Sequence, residues 1–209
     1  MEKKITFVGV LQEGIGIGLK NALSIIAAAI LWILTIWIPY INVGTTIAMC
    51  AIPIELSKGK MISPLFIFDA KYRQFMGEFF TLVGLILIAI IPALFFMIIP
   101  GIIISISWSL GVYLLIDKQI SPTQALIQSN KATNGYKWII FGVSFVLIAV
   151  FYILVFLFCL MGEVAERIFS IILWFALVVS MMGCKAVIYR NLTGNGSLSE
   201  GEIEVIEEQ

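Results

Sequence analysis

Phe79–Ile99 reads FFTLVGLILIAIIPALFFMII, 21 residues without one charged side chain. At a rise of 1.5 Å per residue, a helix of that length covers about 30 Å, the thickness of a bilayer's hydrocarbon core. Backbone groups in hydrocarbon must pair within their own segment, so the stretch predicts a membrane-spanning helix. Asn21–Tyr40, Trp138–Met161 and Ile168–Tyr189 match it. Two shorter runs, Ile41–Leu56 and Gly101–Ile116, follow their predecessors across Pro39-Tyr40 and Pro100-Gly101. Proline ends one helix and can open the next, so both read as returning arms of tight helical hairpins.

The whole chain has the same character. It is 61% hydrophobic and 12% charged, where a soluble domain carries about 25% charged residues. A globule of this size cannot hide so much apolar surface from water, so lipid must be part of its solvent. Basic and acidic residues number 13 each, a balance that gives no reason to expect nucleic acid as a partner. Histidine is absent, which removes the usual general base and a common metal ligand. Cys50, Cys159 and Cys184 stand far apart in apolar runs with no metal-type spacing and read as small hydrophobes. No phosphate loop, dinucleotide glycine pattern, metal cluster or triad occurs, so no cofactor, no metal and no catalytic residue is expected. The start, Met1-Glu-Lys-Lys-Ile-Thr-Phe, shows no cleavage signal, and the first long run near Lys20 reads as an uncleaved anchor.

Charge orients the spans. With six crossings and the N-terminus in the cytoplasm, every basic residue except Arg167 falls on the inner side. The positive-inside rule therefore predicts six transmembrane helices with both termini cytoplasmic in the cell membrane. Trp37, Tyr40, Tyr136, Trp138 and Tyr189 near span ends suit interfacial anchoring.

The two inner loops are related: Ile62-Ser63-Pro64 recurs 58 positions later as Ile120-Ser121-Pro122, and Gly77, Phe80 and Gly84 find counterparts in Gly135, Trp138 and Gly142. Ser-Pro is a helix start, Ser121–Gln124 has a capping-box pattern, and the glycine about twelve residues on suits a helix end. Ile5–Ile17 followed by Gly18 offers a degraded third copy. The fold expected is all-α, with three parallel repeats of an interfacial helix plus a helical hairpin. The repeats run over about 1–58, 59–117 and 118–192, and an acidic tail follows at 193–209.

Ser107-Trp-Ser-Leu-Gly-Val-Tyr-Leu-Leu-Ile-Asp117 leads through Gln124-Ala-Leu-Ile-Gln-Ser129 into Asn134-Gly-Tyr-Lys-Trp138. This segment resembles uncharacterised bacterial polytopic membrane proteins related to the membrane domain of glycerophosphodiester phosphodiesterases. Those share an aromatic-rich span ending in an acidic residue, an Ala-Leu-x-x-Ser helix and a Gly-x-x-Trp opening of the next span. The resemblance covers roughly 100–147 and implies a fold. The hydrolase domain has no counterpart in the chain, so no activity is implied.

Two groups of residues are candidate sites. Ser105 and Ser109, at i and i+4 of the fourth span, with Thr45 and Thr46 of the second, could line a polar pathway. Close helix packing favours the same small hydroxyl residues. Glu55, Asp117 and Lys185 stand at inner ends of returning spans and could meet in one charged cluster, although such end charges also snorkel to headgroups. The functional expectation is a non-enzymatic channel or transporter component for a small solute or ion. The alternative is a membrane scaffold or lipid-interacting subunit, with membrane lipids, a second copy or another membrane protein as partners.

Overall fold

The computed structural model describes residues 5–160 and 162–194, and the regular structure among them is helical throughout. The acidic tail expected at 193–209 lies, apart from its first two residues, outside the described residues. The chain runs through α1 (Phe7–Lys20), α2 (Ala22–Thr35) and α3 (Pro39–Ser57), then two 3₁₀ turns at Pro64–Phe68 and Ala70–Phe75. It continues through α4 (Met76–Phe96), α5 (Ile98–Ser107), α6 (Gly111–Lys118), α7 (Pro122–Thr133), α8 (Lys137–Cys159) and α9 (Glu163–Thr193).

Among the described residues, four segments are long and apolar enough to cross a membrane: 70–96, 98–118, 137–159 and 166–193. The α1–α2 pair, bent by 72° beside Asn21, makes a fifth if it is one span. The structure is therefore that of a membrane-embedded helical protein with four or five candidate spans. Asn42, Thr45, Thr46 and Glu55 dilute the apolar content of α3, which is not among them.

Several local expectations change. Pro39 opens α3 as its spacing suggests, but the next hairpin turns at Met97, with Pro100 in the first turn of α5. The first inner loop does not form one helix: Asp69 splits it into the two 3₁₀ turns, its carboxylate accepting from the Lys71 N–H. Gly77 lies inside α4, whereas Gly135, at φ +82°, sits in the turn after α7 where a left-handed residue is needed. Neither Ser63 nor Ser121 makes a side-chain cap.

Buried side chains collect toward the C-terminal ends of three arms, Ile47–Leu56 of α3, Leu110–Ile116 of the α5–α6 segment and Val179–Leu192 of α9. Against each arm lies one short lead-in element: the 3₁₀ turns on α3, α7 on α6, and α1 on α9. These parts form a packed layer. The other layer is most of α2, α4, α5, α8 and the start of α9, and many of its large apolar residues, among them Ile88, Phe95, Ile153 and Ile171, are exposed. No charged residue occurs in 21–54, 79–116, 138–162 or 168–184. The apolar layer suits lipid as its solvent.

Glycine brings α1 onto α9. A methyl group on Gly183 would stand 2.0 Å from the Gly14 carbonyl oxygen, and one on Gly18 would stand 2.5 Å from the carbonyl of Val179. The two backbones therefore touch, as they do in helix pairs with small residues at i and i+4. Gly16, two positions away on the opposite face, meets nothing. Arg190 reaches back to Glu13 at 2.6 Å.

Candidate functional site

Four charged residues of the packed layer meet around α3, α6 and the second 3₁₀ turn. Glu55, Lys58, Lys71, Tyr72 and Asp117 line an open cavity of ≈ 230 Å³. Each lysine there has a carboxylate partner: Lys58 pairs with Asp117, and Lys71 with Asp69 at 3.2 Å. Glu55 is held by Lys60 at 3.1 Å. The Lys71 N–H, and then its ammonium, hold the Asp69 carboxyl below the ordinary carboxylate range. Asp117 also accepts from the Tyr189 hydroxyl at 2.6 Å, which ties α6 to α9 as Lys58 ties α6 to α3.

The expected trio is thus split. Glu55 and Asp117 share the cavity, but Lys185 does not line it. Lys185 lines a second cavity of ≈ 250 Å³, with Trp32, Thr46, Cys50, Tyr113 and Met182 among its walls. The two are joined through aromatic rings: Tyr113, beside Lys185, packs edge-on against Tyr189 at 5.8 Å, and Tyr189 holds Asp117.

The hydroxyl residues are divided as well. α5 ends at Ser107 and α6 begins at Gly111, so Ser105 and Ser109 do not share one continuous helical face. Their hydroxyls donate to the Ile102 and Ile106 carbonyls. Thr45 is buried with its hydroxyl 3.0 Å from that of Thr35 and so links α3 to α2. Thr46 accepts from the Trp32 indole at 2.9 Å inside the Lys185 cavity.

One polar feature escaped the sequence reading. The break at Trp108–Leu110 frees backbone groups that α7 satisfies. The Ser107 carbonyl accepts from Ser129 at 2.7 Å and from Thr133 at 3.2 Å, and the Leu110 N–H donates to the Ser129 oxygen at 3.2 Å. Both α7 hydroxyls are wholly buried. The Ala-Leu-x-x-Ser pattern pointed to the helix, but nothing local said that its serine seals a broken span. Among the described residues, no group of three or more metal-ligating side chains is gathered. Comparison with protein-family models, with curated proteins and with solved structures finds no match.

Proposed function

We propose that this chain is a non-enzymatic, multi-pass protein of the cytoplasmic membrane that holds lipid, as a scaffold or lipid-interacting subunit, and does not conduct solute through its own bundle. The observation that carries this reading is how the returning arms meet. Tyr113, Tyr189, Asp117 and Lys58 join α3, α6 and α9, and Ile47, Ile52, Leu114 and Val187 around them are at most 1% exposed. The arms therefore meet through packed side chains, with the two cavities opening beside them.

We read the topology as six crossings in three like-oriented units, with both termini cytoplasmic. Three short lead-in elements each precede a helical hairpin, and each packs on the returning arm of the unit before it, the first on the last. The distribution of basic residues gives the orientation. The first hairpin is the shallowest, since the 14 residues of α2 rise only about 21 Å.

A conduit between copies is the second reading. It is favoured by α4, whose most apolar window is only 6% buried within one chain. Native mass spectrometry of the gently extracted protein, paired with solute flux in liposomes, separates the two. A monomer that retains lipid and passes no solute supports the first. A closed homo-oligomer whose flux changes in Ser105→Leu or Ser109→Leu overturns it.

A further inference from the structure

Lys185 is the first charged residue after the uncharged run 168–184 and lies in the packed stretch 179–192 of α9. Lys185 is itself exposed, and its surroundings differ from those of four other cations of the packed layer. Lys58, Lys60, Lys71 and Arg190 all have carboxylate partners. No acidic residue lines the Lys185 cavity, and among the described residues no carboxylate pairs with it. Two hydroxyls share the cavity wall with it: that of Tyr113, beside Lys185, and that of Thr46, whose oxygen already accepts from Trp32. The remaining walls, Met49, Pro53 and Met182, are apolar.

A cation and two hydroxyls in the wall of a mostly apolar cavity match a single ligand chemistry. That chemistry is an oxyanion attached to an acyl chain. We propose that this cavity binds the anionic head of an amphiphile, with Lys185 pairing its charge, Tyr113 and Thr46 donating to its oxygens, and its chain running along Trp32 and Met182 toward the apolar layer. A tryptophan whose N–H is already satisfied by Thr46 offers its ring as an apolar wall, which suits that role. The inference rests on the lipid-holding reading above and names its ligand class and site. The oxyanion can be a fatty-acid carboxylate or a phospholipid phosphate.

Cys50 reports occupancy directly. It lines the cavity and is partly exposed, while Cys184 is buried and Cys159 lies exposed in the apolar layer as a reference. The full chain in a neutral detergent is treated with N-ethylmaleimide, and alkylation at each cysteine is followed by peptide mass spectrometry. Oleate, dioleoyl phosphatidylglycerol, dioleoyl phosphatidylcholine and inorganic phosphate are added in separate arms. We expect oleate or phosphatidylglycerol to slow Cys50 about tenfold while leaving Cys159 unchanged, the scale of one charge-assisted contact. Phosphatidylcholine and phosphate should have little effect. Protection by oleate alone assigns a fatty acid, and by phosphatidylglycerol alone a phospholipid. Lys185→Gln should lose the protection and Lys185→Arg should keep it.

Equal protection by phosphatidylcholine, or protection undiminished in Lys185→Gln, overturns the site. The wild-type arms decide the matter even if the glutamine variant does not fold. Native mass spectra of the same samples keep the two claims apart. Anionic lipid retained equally by wild type and Lys185→Gln removes only this site, whereas wild type that retains no lipid removes the lipid-holding reading itself.

Discussion

Gly183 and Gly84 are both glycines inside long apolar helices, yet a methyl group on the first would collide with the Gly14 backbone and one on the second would meet nothing within 4 Å. They stand for the two layers of the molecule. In the packed layer, helices touch through backbone, buried hydroxyls and ion pairs, so almost every position has a protein neighbour. In the apolar layer, helix surfaces face outward, and a side chain there is constrained mainly by the need to be apolar. Identical residue types therefore carry different burdens in the two layers, and hydropathy does not distinguish them. The most apolar window of α5–α6 is 39% buried, against 6% for that of α4.

The sharpest way to break this contrast is at the glycine contact. Gly183→Leu should detach α1 from α9 and cost well over the ~1–3 kcal/mol typical of overpacking, seen as loss of folded protein in size-exclusion profiles. Gly16→Leu, on the opposite face of α1, should leave the profile intact. Next in size is a charge in the apolar layer. Ile88→Lys on the exposed face of α4 should raise the insertion cost by about 2.5–3.5 kcal/mol, read as a fall in membrane-inserted yield. The same change at Leu65, exposed beside the packed layer, should leave the yield alone.

A smaller effect is expected at the sealed break. Ser129→Ala leaves the Leu110 N–H without its acceptor and weakens the hold on the Ser107 carbonyl, at about 1–3 kcal/mol for an unsatisfied buried group, measured as a lower midpoint of thermal unfolding. Smallest of all is Gly84→Ala, which should be neutral or stabilising by up to about 1 kcal/mol through helix propensity alone. A large loss there would mean that α4 packs against a second copy.

The apolar layer was legible in the sequence because uncharged runs such as Phe79–Ile99 need no partner to be read. Glu55, Asp117 and Lys185 were legible as the first charges after long uncharged runs. The packed layer was not, because its contacts join distant parts of the chain. Gly14 and Gly18 stand at small-x-x-x-small spacing, but only the fold sets them against Gly183. Likewise, Ser105 and Ser109 looked like one stripe because nothing in Ser107–Gly111 announces a broken helix. The turn is held open by Ser129, 22 residues beyond Ser107. The partition of Glu55 and Asp117 from Lys185 likewise depends on which arm each cavity opens beside.

The central claim is that the charged ends of α3, α6 and α9, with the short elements packed on them, lie at one water-facing surface of the membrane while the uncharged runs lie in lipid. Spin labels at Lys58 and Lys131 in the first layer, and at Ile88 and Ile153 in the second, test it in liposomes by collision with oxygen and with a water-soluble nickel chelate. The account predicts nickel-dominated relaxation at Lys58 and Lys131 and oxygen-dominated relaxation at Ile88 and Ile153. Nickel access at Ile88 and Ile153 equal to that at Lys58 would contradict it.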